Sequence, residues 1–369
     1  MRTALELNAI YLFHACEHES CRALSGHRWH PPTGPGGPTE APAAAACYLP
    51  GMRQSYIALA LALALAACPT SHGPGDAGSS STTPDGGTVP SHLKTVFLIV
   101  MENHNWSDIH GSDRAPYLNQ TLLPMGAHAE NYFNPPGNHP SEPNYLWLEA
   151  GTNFGVHTDD DPIINHQAST AHLATLLNAA GISWRSYQED ISGTVCPLTA
   201  VANYRPKHNP FVFFDDLTGH LNPQNAACIA HNRPLTELAS DLAQGGRGVA
   251  QYNFITPNLC HDGHNSCAPE NDEVKQTDDW LAANIPMILA SEAYRDGGVI
   301  FITWDESEGG DFPIGMIALS PLAKAGYSSN VAWTHSSTLR SMEEILGVTP
   351  FLGDAANATD LSDLFTKFP

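Results

Sequence analysis

The sequence predicts an α/β fold in three layers, with helices on both faces of a mainly parallel central sheet. Residues 94–101 (KTVFLIVM) and 299–304 (VIFITW) are continuous runs of β-branched and aromatic residues, which are typical of strands buried on both faces. Segments with helical periodicity alternate with such runs, and this alternation favours parallel strands joined by covering helices. Hydrophobic residues make up 42% of the 369 residues, enough for one large core.

Local patterns predict the elements in chain order. Strands are expected where apolar and β-branched residues are concentrated, at residues 94–101, 129–133, 183–187, 251–256, 299–304 and 315–319. Helices are expected where apolar residues recur every three or four positions, at residues 116–126, from Ser141 onward, and at 172–180, 235–243, 278–294 (interrupted near Pro286) and 337–346. Gly181 and Gly347 directly follow two of these helices, as expected of residues that end a helix with positive φ.

A short apolar run near the N-terminus indicates export. Residues 57–66 (IALALALALA) are too few to cross a bilayer core of ~30 Å but suit the core of a signal peptide. The next residues, LAAC at 65–68, resemble the lipobox of bacterial lipoproteins, in which the cysteine, here Cys68, is lipidated and becomes the mature N-terminus. The alternative is cleavage after a small residue before Cys68, followed by secretion. Pro69 is not the Asp associated with inner-membrane retention, which favours the outer membrane slightly.

These features divide the chain into four parts. Residues 1–51 lack periodicity and precede a signal peptide, so we expect translation to start at Met52 and this stretch to be a non-translated or spurious extension. Residues 52–67 form the expected lipoprotein signal peptide. Residues 68–90 combine the lipidated cysteine with a Pro-, Gly- and Ser-rich tether. The catalytic domain is expected at 91–369, in a protein of the bacterial cell envelope anchored to the membrane by its N-terminal lipid.

Charge limits the possible partners. The chain has 38 Asp and Glu against 16 Lys and Arg, a formal net charge of -22. Such a charge repels polyanions, so nucleic acid is not an expected partner. Small, metal-neutralised substrates are compatible with it, although acidic charge also keeps an exported protein soluble. The sequence does not predict an oligomeric state.

The four cysteines of the expected domain predict disulfides. An even number of cysteines in an exported protein indicates two bridges, most simply Cys196–Cys228 and Cys260–Cys267. A zinc site formed by the last two cysteines with His261 and His264 is the alternative. That alternative lacks the Cys-x-x-Cys pair typical of structural zinc sites.

Polar residues follow two of the predicted buried strands. In open α/β sheets, ligands collect beyond the carboxyl ends of the strands. The residues at these ends are Glu102 and Asn103 after the first run, and Asp305 and Glu306 after the second. Buried carboxylates need a cation or hydrogen bonds, and Arg is scarce nearby, so we expect one divalent metal. The oxygen-rich set suits Mg, Ca or Mn, and Zn remains an alternative.

The stretch at 138–148 (NHPSEPNYLWL) contains the expected nucleophile. Ser141, followed by Pro143 and by apolar residues at helical spacing, is typical of a helix N-cap. Such a hydroxyl lies beside free N–H groups that can bind phosphate. A serine hydroxyl is a weak nucleophile until its pKa falls, and we therefore expect Ser141 to be a ligand of the metal as well.

Two histidines are candidates for binding the phosphoryl group or protonating the leaving group. His264 lies in a short cysteine-bounded segment after a predicted strand, beside Asp262, which would orient its ring. His335 opens the last predicted helix region. The sequence leaves open which of the two is the general acid.

Five motifs resemble a known enzyme family. They occur in the order ENHNW, HPSEPNY, TPNLCHDGHN, TWDE and THSSTLRSMEEILG, within residues 94–365. Together they resemble the phosphoesterase family of bacterial acid phosphatases, bacterial phospholipases C and plant non-specific phospholipases C, in the alkaline-phosphatase-like superfamily. The resemblance implies that fold, Ser141 as the nucleophile, and a metal held by Glu102, Asn103, Asp305 and Glu306; with Ser141 as the fifth ligand, we expect a covalent phosphoserine intermediate. It also implies that the residues around the phosphoryl group are His139, Asn144, Asp262, His264 and His335.

Two departures from the family pattern favour a compact phosphatase. The phospholipase-type pattern Asp-Glu-x-Gly-Gly-x-x-Asp-His-Val reads DESEGGDF at 305–312, and Tyr145 stands where plant members have Arg. The leading hypothesis is a metal-dependent phosphomonoesterase acting on a small phosphate ester. The alternative is a phospholipase C-type phosphodiesterase that releases a phosphorylated headgroup. A non-catalytic lipoprotein that keeps the metal site is a third hypothesis. A sulfatase is not expected, because the Cys/Ser-x-Pro-x-Arg setting is missing from the sequence.

Overall fold

An eight-stranded sheet forms the centre of the structure, a computed structural model that describes residues 90–369. The expected signal peptide, Cys68 and nearly all of the tether lie outside the described residues, and their predictions stay predictions. Within residues 90–369, every helix is too short or too polar to cross a membrane.

The described residues form ten strands and eleven α-helices. The strands are β1 (Thr95–Met101), β2 (Ala127–Ala129), β3 (Tyr132–Phe133), β4 (Trp184–Gln188), β5 (Asn232–Pro234), β6 (Tyr252–Thr256), β7 (Gly298–Trp304), β8 (Met316–Leu319), β9 (Tyr327–Ser329) and β10 (Trp333–Thr334). The helices are α1 (Trp106–Ile109), α2 (Leu123–Met125), α3 (Ser141–Ala150), α4 (Pro162–Asn165), α5 (Leu173–Ala180), α6 (Asp215–Thr218), α7 (Ala226–His231), α8 (Leu238–Ala243), α9 (Glu273–Leu289), α10 (Glu292–Arg295) and α11 (His335–Leu346). A π-helical turn, Leu118–Leu122, precedes α2.

The sheet is mainly parallel, as predicted. Its strand order is β5-β4-β6-β1-β7-β8-β2-β9. The first five strands in this order are parallel, β8 is antiparallel to both of its neighbours, and β9 pairs in parallel with β2. The carboxyl ends of all strands except β8 therefore lie at one edge. Every residue of β1 and β7 is buried, and because side chains alternate along a strand, both faces of the sheet are covered.

The register between β1 and β7 aligns their carboxyl ends. Thr95 pairs with Gly298, and the parallel ladder continues to Met101 and Trp304. The next residue of each strand, Glu102 and Asp305, therefore leaves the sheet at the same level. The two acidic pairs found in the sequence meet because of this register.

Several short strands differ from the predictions. The strand expected at 129–133 is two strands, because the chain leaves the main sheet after β2 and β3 pairs instead with β10 in a separate two-stranded sheet. Strands β5, β9 and β10 were missed. They contain only two or three residues each, which is too few for an alternation of side chains to be recognised.

The break in the long helix is not at Pro286. Asp272 caps α9 at its start by accepting a hydrogen bond from the Lys275 amide at 2.8 Å, so the helix begins earlier than predicted. Pro286 lies inside α9, where burial of the flanking Ile285 and Ile288 holds the helix despite the missing donor. The chain breaks between α9 and α10, where the Ser291 hydroxyl accepts from the Tyr294 amide at 3.1 Å.

Candidate active site

The two predicted acidic pairs meet at the carboxyl ends of β1 and β7. The backbone amide of Asn103 donates to Oδ1 of Asp305 at 3.1 Å, and the backbone amide of Asp305 donates to the Met101 carbonyl at 2.9 Å. Asn103 has a positive φ of 38°, a conformation that Asn tolerates better than most residues. This turn brings its amide to face the neighbouring strand end, and the two pairs form one cluster.

The cluster concentrates negative charge in a buried place. Burial, together with the nearby Glu102 and Glu306, raises the pKa of Asp305 well above its usual range. Burial also raises the pKa of Glu306, although His139 opposes this shift. Three carboxylates so close together repel one another unless protons or a cation neutralise them.

Two buried oxygens of the cluster are free for a metal. Oδ1 of Asn103 and Oδ2 of Asp305 are buried and have no hydrogen-bond partner among residues 90–369. Unpaired buried oxygens are costly, and here they lie within a set made of carboxylate, amide and hydroxyl oxygens. Hard divalent cations prefer such a set, so the predicted ligands fit a divalent metal. The geometry does not distinguish between the cations.

Ser141 is the first residue of α3, and Pro140, not Ser141, occupies the N-cap position. The N-cap role predicted for this serine is therefore wrong. Its hydroxyl, 1% exposed as a residue, donates to Oε2 of Glu102 at 3.1 Å. The free N–H donors expected at this helix start are also fewer than predicted, because the Glu142 amide donates to Asp159 at 2.9 Å and Pro143 has none.

Glu102 connects Ser141 to a histidine that sequence reasoning missed. Nε2 of His208 lies 3.2 Å from Oε2 of Glu102, and Nδ1 lies 3.2 Å from Oδ2 of Asp262. Both contacts are ion pairs between the imidazole ring and a buried carboxylate. Burial opposes protonation, but Glu102 and Asp262 outweigh it and raise the pKa of His208 to about 9. His208 is thus an imidazolium at neutral pH, and it lowers the pKa of Glu102 to about 2 against the effect of burial.

The Tyr145 ring holds His208 in position. The two rings stack with centroids 5.2 Å apart and planes 13° from parallel. The Tyr145 hydroxyl donates to Oε1 of Glu102, while Ser141 and His208 contact the other oxygen. Tyr145, noted in the sequence only as a departure from the family pattern, is therefore part of the site.

Lys207 is a second cation that was missed. Its Nζ lies 2.8 Å from Oδ2 of Asp159 and 3.3 Å from Nε2 of His264. Burial lowers the pKa of Lys207, but Glu102 and Asp159 outweigh it and raise the pKa. Lys207 and His208 lie on a short 3₁₀ turn, Pro206–His208, and not at a strand end. The available signal was two adjacent basic residues in a strongly acidic chain.

The His264 segment is constrained by a disulfide. Both predicted disulfides are present, Cys196–Cys228 and Cys260–Cys267, and the second excludes the zinc alternative because neither sulfur is a free thiolate. The His264 amide donates to Oδ1 of Asp262 at 2.8 Å. One nitrogen each of His264 and His208 and one oxygen of Glu102 lie within 4.8 Å of one another, so His264 faces the cluster.

Asn144 and His139 line the side of the cluster next to Glu306. Nδ2 of Asn144 donates to the Asn138 carbonyl at 2.8 Å and to the Pro140 carbonyl at 3.2 Å, so this side chain braces its own loop. Nδ1 of His139 lies 2.5 Å from Oε2 of Glu306. Nδ2 of Asn144 also donates to the same oxygen at 3.4 Å, so both side chains reach the cluster through Glu306.

His335 lies behind the cluster. Its Nε2 lies 2.6 Å from the Asp305 carbonyl, and its Nδ1 lies 3.0 Å from the Tyr132 hydroxyl. Because a carbonyl only accepts, the ring proton is on Nε2. Burial lowers the pKa of His335 to about 4, so the ring is neutral and both nitrogens are engaged. This geometry suits a residue that positions Asp305 and not a general acid.

Comparison with known proteins supports this picture. A model of the phosphoesterase family matches residues 115–349. A phosphatidylinositol-3-phosphatase from Mycobacterium tuberculosis is 28% identical over 287 residues, which cover 76% of this chain and 87% of that protein. A probable acid phosphatase from Kluyveromyces lactis is 27% identical over 294 residues, which cover 74% of this chain and 65% of that protein.

A solved structure supports the fold. A protein of the alkaline phosphatase superfamily from Vibrio parahaemolyticus superposes with a TM-score of 0.52 over 74% of this chain and 70% of that chain. Because only 12% of the residues are identical, this likeness shows the fold alone. The predicted three-layer, alkaline-phosphatase-like fold is confirmed.

Proposed function

The chain belongs to the phosphoesterase family and is a phosphoric ester hydrolase, and we propose that it is a metal-dependent phosphomonoesterase of the acid phosphatase type. Ser141 is the proposed nucleophile. The observation that carries the proposal is the hydrogen bond from the buried Ser141 hydroxyl to Glu102, next to two unpaired oxygens of Asn103 and Asp305.

One divalent cation would be held by oxygens of the cluster. The proposed ligands are Glu102, Asn103, Ser141, Asp305 and Glu306. When bound, the cation would lower the pKa of the serine hydroxyl and screen the negative oxygens of the phosphoryl group. The donor set favours Mg, Ca or Mn and also accepts Zn.

The reaction proceeds in two displacements. Glu102, held ionised by His208, accepts the hydrogen bond from Ser141 and orients its oxygen. With the cation bound, the serine hydroxyl would lose its proton to water, the bond from Oγ to phosphorus forms, and the ester bond to the alcohol breaks. His264 gives a proton to the departing alkoxide. A water molecule then attacks the phosphoserine and gives its proton to His264, while the serine oxygen leaves and takes a proton from water, which releases phosphate.

The charges around the cluster favour a monoester. A monoester phosphate carries one more negative charge than a diester at neutral pH, and it must approach a group of carboxylates. Lys207 and the imidazolium of His208 supply two positive charges there. His139, beside Glu306, and His264, whose Nε2 faces Lys207, complete the residues proposed to surround the phosphoryl group.

The rim of the site carries an observation that favours a lipid headgroup among the phosphate esters. Ile163 and Ile164 of α4 are 69% and 66% exposed. Their neighbour Asn165 donates to Glu142, the residue after the nucleophile, at 3.1 Å. Exposed large aliphatic side chains beside a phosphate site suit a substrate with an apolar part. The name of the M. tuberculosis relative is compatible with this substrate class.

The proposal is tested by comparing hydrolysis of p-nitrophenyl phosphate and bis-p-nitrophenyl phosphate. We expect the monoester to be preferred, activity to be lost with chelator and recovered with metal, and Ser141→Ala to lower kcat by at least roughly 10³-fold. Ser240→Ala, an exposed helix serine, is the matched control and should keep full activity. Acid quenching during turnover should leave phosphate on Ser141, detectable by mass spectrometry.

Three results would contradict the proposal in different ways. Metal-dependent activity that survives in Ser141→Ala would mean that water attacks directly. Faster hydrolysis of the diester, or of phosphatidylcholine, would favour the phospholipase C-type phosphodiesterase. Folded, metal-loaded protein without activity on any phosphate ester would favour a binding protein.

A further inference from the structure

A second cluster of metal-ligating side chains lies apart from the candidate active site. It consists of His110 at the end of α1, His128 in β2 and Glu130 directly after β2. We propose that these three residues form a binding site for a zinc-class transition-metal cation. The mechanism described above uses none of them.

The distances in this cluster suit a small tetrahedral cation. Nδ1 of His110 lies 3.4 Å from Oε2 of Glu130, and Nε2 of His128 lies 3.1 Å from Oε1 of the same carboxylate. The three ligand atoms all lie within 4.8 Å of one another. In a tetrahedral site with bonds of about 2.0–2.1 Å, ligand atoms are about 3.3 Å apart. Each of the two histidine–carboxylate distances is close to that spacing, one to each oxygen of Glu130.

The donor types distinguish this site from the active site. Two imidazoles and one carboxylate suit zinc, copper or nickel, whereas the active-site cluster offers mainly oxygens. The carboxylate is oriented by two further donors. The Trp106 indole donates to Oε2 at 2.7 Å, and the Ser328 hydroxyl donates to Oε1 at 2.8 Å. Such outer hydrogen bonds are typical of carboxylate ligands of metals.

The electrostatics leave room for a cation. Within residues 90–369, Glu130 forms ion pairs only with His110 and His128, and with no Lys or Arg. His128 is 7% exposed as a residue, and among the described residues its Nδ1 has no hydrogen-bond partner. The hydrogen bond between Nε2 of His128 and Oε1 of Glu130, at 3.1 Å, would be replaced by bonds from both groups to the metal.

An open cavity gives access to the cluster. It has a volume of about 550 Å³ and is lined by Trp106, Ser107, His110, Glu130, Phe312 and Pro313. His110 is partly exposed, and its ring stacks on Trp106 with centroids 5.1 Å apart. Three protein ligands leave a fourth position that faces this cavity, where water or another small ligand completes the coordination.

A cation bound there would connect the segment after Asn103 with the segment that contains β2. His110 follows the active-site strand end by way of α1, whereas His128 lies in β2 and Glu130 directly after it, and β2 is separated from β7 by β8. A cation that binds both segments in the folded protein stabilises that state. The site is therefore proposed as a stabilising one.

The test measures Zn²⁺ bound to the purified protein at equilibrium, with wild type beside His110→Ala. His110 is exposed enough that the variant should fold. The matched control is His166→Ala, because His166 is similarly exposed and lies 2.9 Å from a carboxylate oxygen of Asp215. We expect wild type and His166→Ala to bind one more Zn²⁺ than His110→Ala. At 100-fold excess over Kd, this zinc should raise the Tm of the first two by about 5 °C.

Two further variants separate zinc binding at this cluster from zinc binding at the active site. Glu130→Gln keeps one acceptor oxygen, enough for the Trp106 indole, and its NH₂ group can donate to the Ser328 hydroxyl; because it loses the charged ligand, it should also lose one Zn²⁺. Asp305→Asn changes the active site and should keep the extra Zn²⁺. When Co²⁺ replaces Zn²⁺ in this variant, its absorption should be typical of tetrahedral nitrogen and oxygen ligands. Equal Zn²⁺ counts in wild type, His110→Ala and Glu130→Gln would overturn the proposal, whatever the outcome for catalysis.

Discussion

Buried carboxylates occur in two different settings in this molecule. At the carboxyl ends of β1 and β7, three of them lie together: Glu102, Asp305 and Glu306. Inside α3 and α11, Glu149 and Glu343 are each buried singly. All five carry the same side-chain chemistry, so the difference between the two settings shows what makes a buried acid a candidate metal ligand.

The helix carboxyls meet the cost of burial by binding a proton. Burial raises the pKa of both Glu149 and Glu343 to about 8. Each also accepts a single protein donor, the Tyr252 hydroxyl for Glu149 and the Leu352 amide, at 2.8 Å, for Glu343. Each of these groups is neutral at acidic to neutral pH without needing a cation.

The strand-end carboxyls cannot all become neutral by binding a proton. His208 keeps Glu102 ionised, and that charge then pushes the pKa of Asp305 upward. Within residues 90–369, Asn103, Asp305, Glu149 and Glu343 each have one buried oxygen without a hydrogen-bond partner, so such an oxygen does not separate the two settings. Neither burial nor an unpaired oxygen alone therefore indicates a metal. Clustering around an ionised carboxylate does.

The largest effect is expected for Asp305→Asn. The variant keeps an oxygen that accepts from the Asn103 amide but loses a charged ligand, so kcat/KM should fall by at least roughly 10²-fold and more metal should be needed for half-maximal activity. In chelator the variant should be more heat-stable than wild type at neutral pH, because the buried Asp305 carboxyl must bind a proton and an amide need not. Activity at several metal concentrations and Tm in chelator measure both effects. An unchanged metal requirement would mean that the clustered carboxylates do not bind the metal.

Much of the fold was predictable because long buried strands carry a strong local signal. The runs that became β1 and β7 are apolar throughout, and their acidic ends mark the edge where the site lies. The two- and three-residue strands were not predictable, because they exist only through pairing with distant segments. The chain breaks after α9 because Ser291 caps the next helix. A single serine is a weaker sequence signal than a proline, so the break was predicted at Pro286 instead.

The site was predictable where side chains follow strands and unpredictable where they come from turns. Glu102 and Asp305 were found from their position after apolar runs. His208 was missed, because a 3₁₀ turn brings it between Glu102 and Asp262 and nothing local marks that contact. His335 was identified as a residue of the site, but its orientation toward the Asp305 carbonyl depends on packing that a sequence does not contain.

A smaller effect is expected for His208→Asn, which removes the charge that keeps Glu102 ionised. Without it, burial raises the pKa of Glu102, so the acidic limb of the kcat/KM profile should move to higher pH. At neutral pH we expect a loss of about 10- to 100-fold. The matched control is His231→Asn, because His231 also stacks on an aromatic ring, that of Trp184, away from the cluster. A loss without any shift of the acidic limb would mean that His208 acts only by packing.

The smallest effect is expected for Glu149→Gln, which changes one of the singly buried carboxyls. Because the folded-state pKa of Glu149 is raised from 4.5 to about 8, the folded protein holds a proton that the unfolded chain releases between those pH values. The contribution of this group to stability therefore falls as pH rises from about 4.5 to 8. The free energy of unfolding, measured with urea at pH 5 and at pH 8, should fall between these pH values in wild type. In the variant this fall should be smaller by about 1–3 kcal/mol. Metal dependence and kcat/KM should stay at wild-type values, because Glu149 is paired with Tyr252 and not with the cluster. If Glu149→Gln changed the metal requirement as Asp305→Asn is expected to do, the two kinds of buried carboxylate would not be distinct.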